Sequence, residues 1–595
     1  MFPMTAKINE NGRRVLEARY LRRDNQGRVS ETPEQLFERV AHAVAQAELP
    51  YGTSADAKFW KERFLEMLAG LDFLPNSPTL MNAGTPLGQL SACFVLPVED
   101  TMESIFGTLR DAALIQRTGG GTGFSFSHLR PSGDHIASTG GTSSGPVSFM
   151  KIYDCATENV KLGGRRRGAN MGVLRVDHPD IEEFINVKRD GVSLRNFNIS
   201  VGATEEFMAA VEAGGEFSLR HPSTGVVVRR VSARKLFDAI CDAAWATGDP
   251  GLIFLDTIAR TDPLPACGPI ESTNPCGELP LLPYESCNLG SINLVHFVRE
   301  SHGAFIIDWT RLGQQVRDGV RFLDNVISVN RFPLDQVART TLANRKIGLG
   351  IMGFAELCIL LGVSYSSGKA IAMAEELMAF IQQEARLASI QLAEERGVFP
   401  NWGESTYASS GPRLRNATQT SIAPTGTISI IAGTSSSIEP LFALAYRRQH
   451  VLGEQTLPEL NPLVGRHLQR LGMETKSALE SIASSGRLLD TSQANDKLRK
   501  LFVTALEITP EQHVRVQAAF QKHVDNAVSK TVNLPSEASP QDVADAYRLA
   551  HQLGCKGVTV FRYGSRSEQT LQLGVGETPE EREYFAKCDP NACRL

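Results

Sequence analysis

Asn274-Pro275-Cys276-Gly277-Glu278, with Glu285-Ser286-Cys287-Asn288-Leu289-Gly290-Ser291 shortly after it, is the stretch around which this chain reads as organised. In an extended segment successive side chains alternate sides, so Asn274, Cys276 and Glu278 would project together while Pro275 and Gly277 shape the backbone between them. An amide, a thiol and a carboxyl would then face one pocket. The carboxylate takes a proton, the amide orients a hydroxyl, and the thiol acts as a nucleophile or loses one electron to become a radical. The plain alternative is a loop holding a buried cysteine, the usual fate of an isolated thiol.

The surrounding chain is long enough, at 595 residues, for one large barrel with appendages or for several domains. Its 42% hydrophobic and 21% charged residues and net charge of −5 describe a soluble globular protein without the basic excess of a nucleic-acid binder. No apolar run reaches the roughly eighteen residues of a membrane helix, and the amino terminus lacks a signal-peptide pattern, so the expected location is cytoplasmic, away from membranes. Ten mostly isolated cysteines make no secreted disulfide framework and turn attention to catalytic or metal roles. Cys155, Cys241, Cys358 and Cys555 sit among apolar neighbours and read as inert; Cys267 is ambiguous.

The first thirty residues are polar, basic and without period, and the first helix is expected at Thr32-Pro33-Glu34-Gln35, a capping box with proline at the first helical position. A second follows from Ala55 to Leu71, completing a small helical module. From Pro75, short strands alternate with helices: Ala92 to Leu96, a helix from Met102 to Gln116, Gly123 to Phe126, a helix from Val147 to Val160. Later helices are expected over Ser232 to Ala246, Asp308 to Val329, Lys369 to Arg396 with a stop at Gly397, and Pro510 to Ser529; a strand over Gly557 to Phe561 closes the folded region. The alternation predicts an α/β fold with parallel strands. Three glycine-rich stretches stand out. Thr118 to Gly123 looks like a phosphate loop but lacks the Walker A ending. Pro424 to Ser429 offers small hydroxyls where a helix begins, and reads as an anion site or a plain turn. Gly163 to Asn170 adds three consecutive arginines to glycine flanks and on its own reads as a solvated basic loop.

The stretch 274–278 is accompanied by Asn76-Ser77-Pro78-Thr79-Leu80-Met81-Asn82-Ala83-Gly84, Ser91-Ala92-Cys93, Thr118 to Phe124, Gly163 to Asn170, Pro424-Thr425-Gly426-Thr427-Ile428-Ser429 and Asp525 to Thr531. In order and spacing, over about residues 30 to 563, these resemble the catalytic chain of ribonucleotide reductases. The resemblance implies a ten-stranded α/β barrel of two five-stranded parallel halves with Asn274 to Glu278 on a loop inside it. The expected divisions are residues 1–74 (amino-terminal segment and helical domain), 75–565 (barrel) and 566–595 (flexible tail). It implies a thiyl radical on Cys276, with Glu278 drawing the proton from the substrate 3′-hydroxyl, Asn274 holding that hydroxyl, and Cys93 and Cys287 supplying the reducing thiols. The implied substrate site takes in Ser77, Ala92, Cys93, Gly121, Asn274, Pro275, Cys276, Gly277 and Glu278, with Pro424, Thr425, Gly426, Thr427 and Ile428 at the phosphates. Asp100, Arg165 and Arg166 are its implied deoxynucleotide-effector residues, although Asp100 also reads as a cap for the helix at Met102.

How the radical arises separates the classes. Relatives fed by a metal-containing subunit carry an adjacent tyrosine pair near the barrel's carboxyl end, and none of the ten tyrosines here has a tyrosine neighbour. The corresponding segment, Gly554 to Arg566, looks like that of the adenosylcobalamin-dependent class II enzymes, which implies adenosylcobalamin as cofactor and no resident metal. In the tail, Cys588 and Cys593 resemble a terminal pair that carries reducing equivalents from a thioredoxin- or glutaredoxin-like protein to the Cys93/Cys287 pair. The other implied partners are the ribonucleotide, a deoxynucleotide effector and a second copy in a homodimer. A class I-type large subunit, a non-radical thiol oxidoreductase and a catalytically silent nucleotide-binding regulator stay open as alternatives.

Overall fold

The computed structural model describes residues 8–136, 140–162, 166–452, 455–470, 475–488, 496–566 and 571–575. Ten strands form its main sheet: β1 (Phe73–Pro75), β2 (Cys93–Leu96), β3 (Gly121–Ser125), β4 (Asn170–Arg175), β5 (Phe197–Ala203), β6 (Gly251–Phe254), β7 (Glu285–Asn293), β8 (Ile347–Met352), β9 (Thr531–Leu534) and β10 (Gly557–Arg562). Strands β2 to β6 are parallel neighbours in sequence order. A second parallel set runs through β7 and β8 and through β9 and β10. The two sets meet antiparallel at both seams, β7 against β2 and β10 against β6.

Between β8 and β9 the link is made by a segment too irregular to count as a strand. Leu349 bridges Thr420 and Ile422 bridges Val528, both in parallel sense. Ser421 N–H donates to Leu349 O (3.0 Å), and Ser529 N–H to Ile422 O (2.9 Å). The pairing thus runs around a complete circuit of two five-membered parallel halves, with residues 420–422 as the tenth member. The sheet's remaining strand, β1, lies outside the circuit, antiparallel to β7.

Helices clothe the outside as βα alternation requires. Trp309–Val329, capped by Asp308, packs on Gly368–Arg396, which packs on Pro510–Gln521, then Pro540–Gln552, then Ala233–Thr247. The amino-terminal helices Pro33–Ala45 and Ser54–Ala69 share one hydrophobic core with β7, β8 and the helices over that half. The other half has its own core around Phe124, Phe126, Tyr153 and Phe197. Among the described residues no helix is long and apolar enough to cross a membrane.

Two expectations need correction. A helix, Glu10–Arg19, precedes the Thr32 cap; its buried face presents Asn11 and Gly12 beside Val15 and Leu16, so no hydrophobic period announces it. Gly12 sits against the Ile430 carbonyl, and Asn11 donates to Pro458 O (2.8 Å). The helix expected over Pro510 to Ser529 ends at Gln521, because the backbone from Asn526 to Ser529 is used in the barrel circuit. The Thr32/Gln35 capping box forms as expected.

Candidate active site

The segment Asn274 to Glu278 is the tip of a hairpin whose stem pairs Ser272–Thr273 with Pro280–Leu281. It is a turn, not the extended run expected: Gly277 N–H donates to Asn274 O (3.1 Å), Gly277 has φ +83°, and Asn274 closes the turn through Leu279. Proline and a left-handed glycine on either side of Cys276 bend the backbone there, so strict side-to-side alternation fails. Asn274 and Glu278 are buried while Cys276 is exposed.

The glycine run with the look of a phosphate loop leads into β3, and its Gly121 and Gly123 serve this hairpin. A Cβ on Gly123 would lie 1.8 Å from the Thr273 carbonyl oxygen, and one on Gly121 would lie 2.9 Å from Pro275 Cγ. Asn198 on β5 donates to Pro275 O (2.8 Å). From the opposite half, Ala527 N–H (3.0 Å) and Ser421 Oγ (2.9 Å) donate to Glu278 O. The turn is therefore held from both halves of the barrel.

Cys93 on β2 and Cys287 on β7 are direct cross-strand partners. Such partners have Cα atoms about 4.5–5.5 Å apart, within disulfide range. Asn274 Nδ2 donates to Cys93 Sγ at 3.0 Å. Burial pushes the Cys93 thiol well up, reinforced by the nearby Glu278 carboxyl and the Cys276 and Cys287 thiols. Burial likewise raises Cys287, reinforced by Glu285 and opposed by Lys346. Burial lifts Glu278 to about 7, against hydrogen bonding from Asn274, and its Oε2 is buried without a hydrogen-bond partner. Three thiols, an amide and a proton-accepting carboxyl from three chain segments meet inside one barrel, an arrangement suited to one-electron and thiol–disulfide chemistry with a base at hand.

Residues 91–561 match the ribonucleotide reductase barrel domain, and residues 6–88 the ribonucleotide reductase all-alpha domain. The chain belongs to the ribonucleotide reductase family. It is 51% identical, over 98% of its length and 83% of the relative's, to a Mycobacterium tuberculosis protein named vitamin B12-dependent ribonucleoside-diphosphate reductase. A Thermoplasma acidophilum protein of the same name is 48% identical, over 97% of this chain and 82% of that one. The Actinobacillus ureae class Id ribonucleotide reductase alpha subunit shares the fold, with TM-score 0.76 and 24% identity over 94% of this chain and 97% of that one.

The other residues singled out in this reductase fall as follows. Ala92 links the dithiol strand to β3: its N–H donates to Cys287 O (3.2 Å) and its carbonyl accepts from Gly121 N–H (2.8 Å). Ser77 opens a short helix and its Oγ shares a hydrogen bond with Tyr20 (2.7 Å). Ala423 packs in one small apolar cluster with Cys93, Cys287 and Leu279, so Pro424 to Ile428 starts beside the dithiol. Thr425 has φ +53° and accepts from Ser437 N–H (2.7 Å), whereas Gly426 faces open space. Asp100 is no helix cap: Thr101 caps the helix at Met102, and Asp100 pairs with Arg130 (2.7 Å). Arg165, Cys588 and Cys593 lie outside the described residues, and Arg166 is described only as backbone of a short hairpin with Lys161–Leu162. Asn198 and Ser421, which hold the turn by donating side-chain hydrogen bonds to its backbone carbonyls, escaped the sequence reading because contacts across the barrel carry no spacing signal; Ala527, inside the Asp525 to Thr531 stretch, adds its backbone N–H.

Proposed function

We propose that this chain reduces ribonucleoside diphosphates to 2′-deoxyribonucleoside diphosphates by radical chemistry at Cys276, using adenosylcobalamin. The convergence of Asn274, Cys276 and Glu278 on the Cys93/Cys287 pair carries this reading. Adenosylcobalamin, when bound, would supply the initiating radical through its homolytically weak cobalt–carbon bond. Cys276, exposed at the tip of the turn, takes the 3′-hydrogen of the ribose. Glu278, poised near neutrality, accepts the 3′-hydroxyl proton, and Asn274 orients that hydroxyl. The 2′-hydroxyl leaves as water, taking a proton from the dithiol. Cys93 and Cys287 together give up two electrons and two protons, one proton leaving in the water and one hydrogen going to C2′, and become a disulfide; Glu278 returns its proton to the 3′-oxygen, and Cys276 returns the hydrogen to C3′ and is again a thiyl radical. Pro424 to Ile428 receives the diphosphate, with Gly426 leaving the backbone open to close approach.

A cavity of about 580 Å³ is lined in part by neighbours of the segment that stands in for the missing tyrosine relay. Its wall includes Asn533, whose strand partner is Phe561, and Phe442, whose ring is 6.4 Å from that of Tyr563. Asn461, Asn533, Glu356 and Glu459 line it, and Ser435 Oγ is buried there without a hydrogen-bond partner. An amide- and carboxylate-rich wall with aromatic rings suits the amide-fringed corrin, and we assign cofactor binding to these residues.

In this reading Asp100, Arg165 and Arg166 serve a deoxynucleotide effector, Cys588 and Cys593 pass electrons from a thioredoxin- or glutaredoxin-like protein, and the enzyme works as a cytoplasmic homodimer. The helical module of residues 1–74 and the tail of 566–595 flank the barrel of 75–565. Anaerobic CDP turnover with adenosylcobalamin and dithiothreitol, and no second subunit, tests the cofactor. Turnover that instead requires a di-iron or di-manganese partner would assign the chain to class I.

A further inference from the structure

His128 occupies the loop after β3 and makes two ion pairs at once: Nδ1 with Glu99 at 3.0 Å and Nε2 with Glu271 at 2.9 Å. Both ring nitrogens face carboxylates, an arrangement that only the imidazolium satisfies, since neutral imidazole has one donor. Glu99 sits in the loop after β2, next to Asp100. Glu271 immediately precedes the hairpin stem at Ser272–Thr273. The neighbouring rung, Asp100 to Arg130, joins the same two loops. One charged side chain thus ties the carboxyl-terminal ends of β2 and β3 to the base of the turn that carries Cys276.

We infer that His128 is a positioning residue: as imidazolium it fixes the stem of the Asn274–Glu278 turn to the loop bearing Asp100, and so sets the placement of Cys276 and Glu278. This rests on the reductase reading for its consequence in turnover but not for its structural content. The turn's other anchors, at Pro275 O and Glu278 O, are backbone contacts that no proton switches; the His128 bridge is the charged one. The hydrogen bond that Nε2 donates to Glu271 leads the effects that raise the imidazole to about 9, with burial opposing and Glu99 adding. Arg175, paired with Asp177 (2.9 Å), also interacts with Glu271, and Arg130 neutralises Asp100, so the ring's two carboxylates dominate the charge it faces. The bridge is intact at neutral pH and opens as the pH rises through about 9.

Amide hydrogen exchange at neutral pH and steady-state kinetics, measured on the full chain with adenosylcobalamin added for the kinetics, test this. His128→Gln is expected to speed exchange across residues 270–281 about tenfold, because local opening there loses a tether. It should lower kcat roughly tenfold with KM within about twofold, the signature of misplaced reacting groups rather than lost binding. His128→Lys keeps a cation between the carboxylates and should restore both, while moving the alkaline fall of kcat above the wild-type value near 9. Unchanged exchange in His128→Gln, or a loss of kcat that His128→Lys does not rescue, overturns the inference. Faster exchange in a wild-type-folded chain that reduces no nucleotide would leave the bridge standing and remove the reductase reading instead.

Discussion

Glu278 shows most clearly how a residue's surroundings set its chemistry. Its carboxyl lies in the barrel interior, and burial raises it to about 7. The folded value exceeds the unfolded one, so this group favours folding at low pH, and that contribution is lost as the pH climbs from the ordinary carboxylate range to about 7. Catalysis runs the other way, since proton abstraction needs the carboxylate. The kcat profile is therefore expected to rise through pH 7, and Glu278→Gln to lose at least about a hundredfold in kcat with little change in nucleotide affinity. A flat acid limb in the wild type, or a Gln variant that turns over normally, contradicts the assignment. The identity of these residues was legible in the sequence because amide, thiol and carboxyl crowd into so few positions. Their conformation was not: side-to-side alternation assumes a strand, and the left-handed Gly277 makes a turn instead.

At the scale of the element, glycine carries information that a motif reading does not supply. Thr118 to Gly123 looked like a phosphate cradle, yet Gly121 and Gly123 are strand residues whose missing side chains let the hairpin stem lie directly on β3. A Cβ at 1.8 Å from a backbone oxygen has no flexible neighbour to displace. Gly123→Ala is expected to shift the stem, to destabilise by about 1–3 kcal/mol through overpacking, and to abolish most turnover. Thermal unfolding and turnover of this variant measure both effects; a fully active, equally stable Gly123→Ala protein would show that the stem does not rest there. The elements that the sequence reading named lie mostly within a few residues of where the structure has them, but it named only three of the ten strands in the main sheet. It missed Glu10–Arg19, which docks through Asn11 and Gly12, and overran Pro510–Gln521, because apolar residues continue past the helix into the barrel circuit.

Across the whole molecule, charges far apart in sequence bind the helical module to the barrel. Asp324 is fully buried and pairs with Arg345 (2.7 Å), Arg396 (3.1 Å) and Arg415 (3.5 Å), while Arg396 also reaches Glu48 (2.7 Å) behind the first helices. Burial pushes the Asp324 carboxyl up, but Arg345, Arg415 and Arg396 outweigh it and hold the group below the usual carboxylate value. Asp324→Asn leaves buried guanidinium charge uncompensated and should cost about 3–5 kcal/mol, read as a lowered urea midpoint. A midpoint unchanged from wild type would show that the network is not a clamp. No local pattern reveals such a network, since its members come from five separate segments. The tail prediction also belongs to this scale: Cys588→Ser with Cys593→Ser should spare the first turnover and abolish steady state driven by thioredoxin, with partial rescue by dithiothreitol. Normal thioredoxin-driven turnover in the double variant would exclude the shuttle. The central claim, that Cys276 carries the radical that reduces ribonucleotides, is tested most directly by multiple-turnover dCDP formation in anaerobic mixtures of CDP, adenosylcobalamin and dithiothreitol. Wild-type protein is expected to turn over repeatedly and Cys276→Ser, which cannot form a thiyl radical, to form none while still binding CDP; sustained dCDP formation by Cys276→Ser would contradict the account.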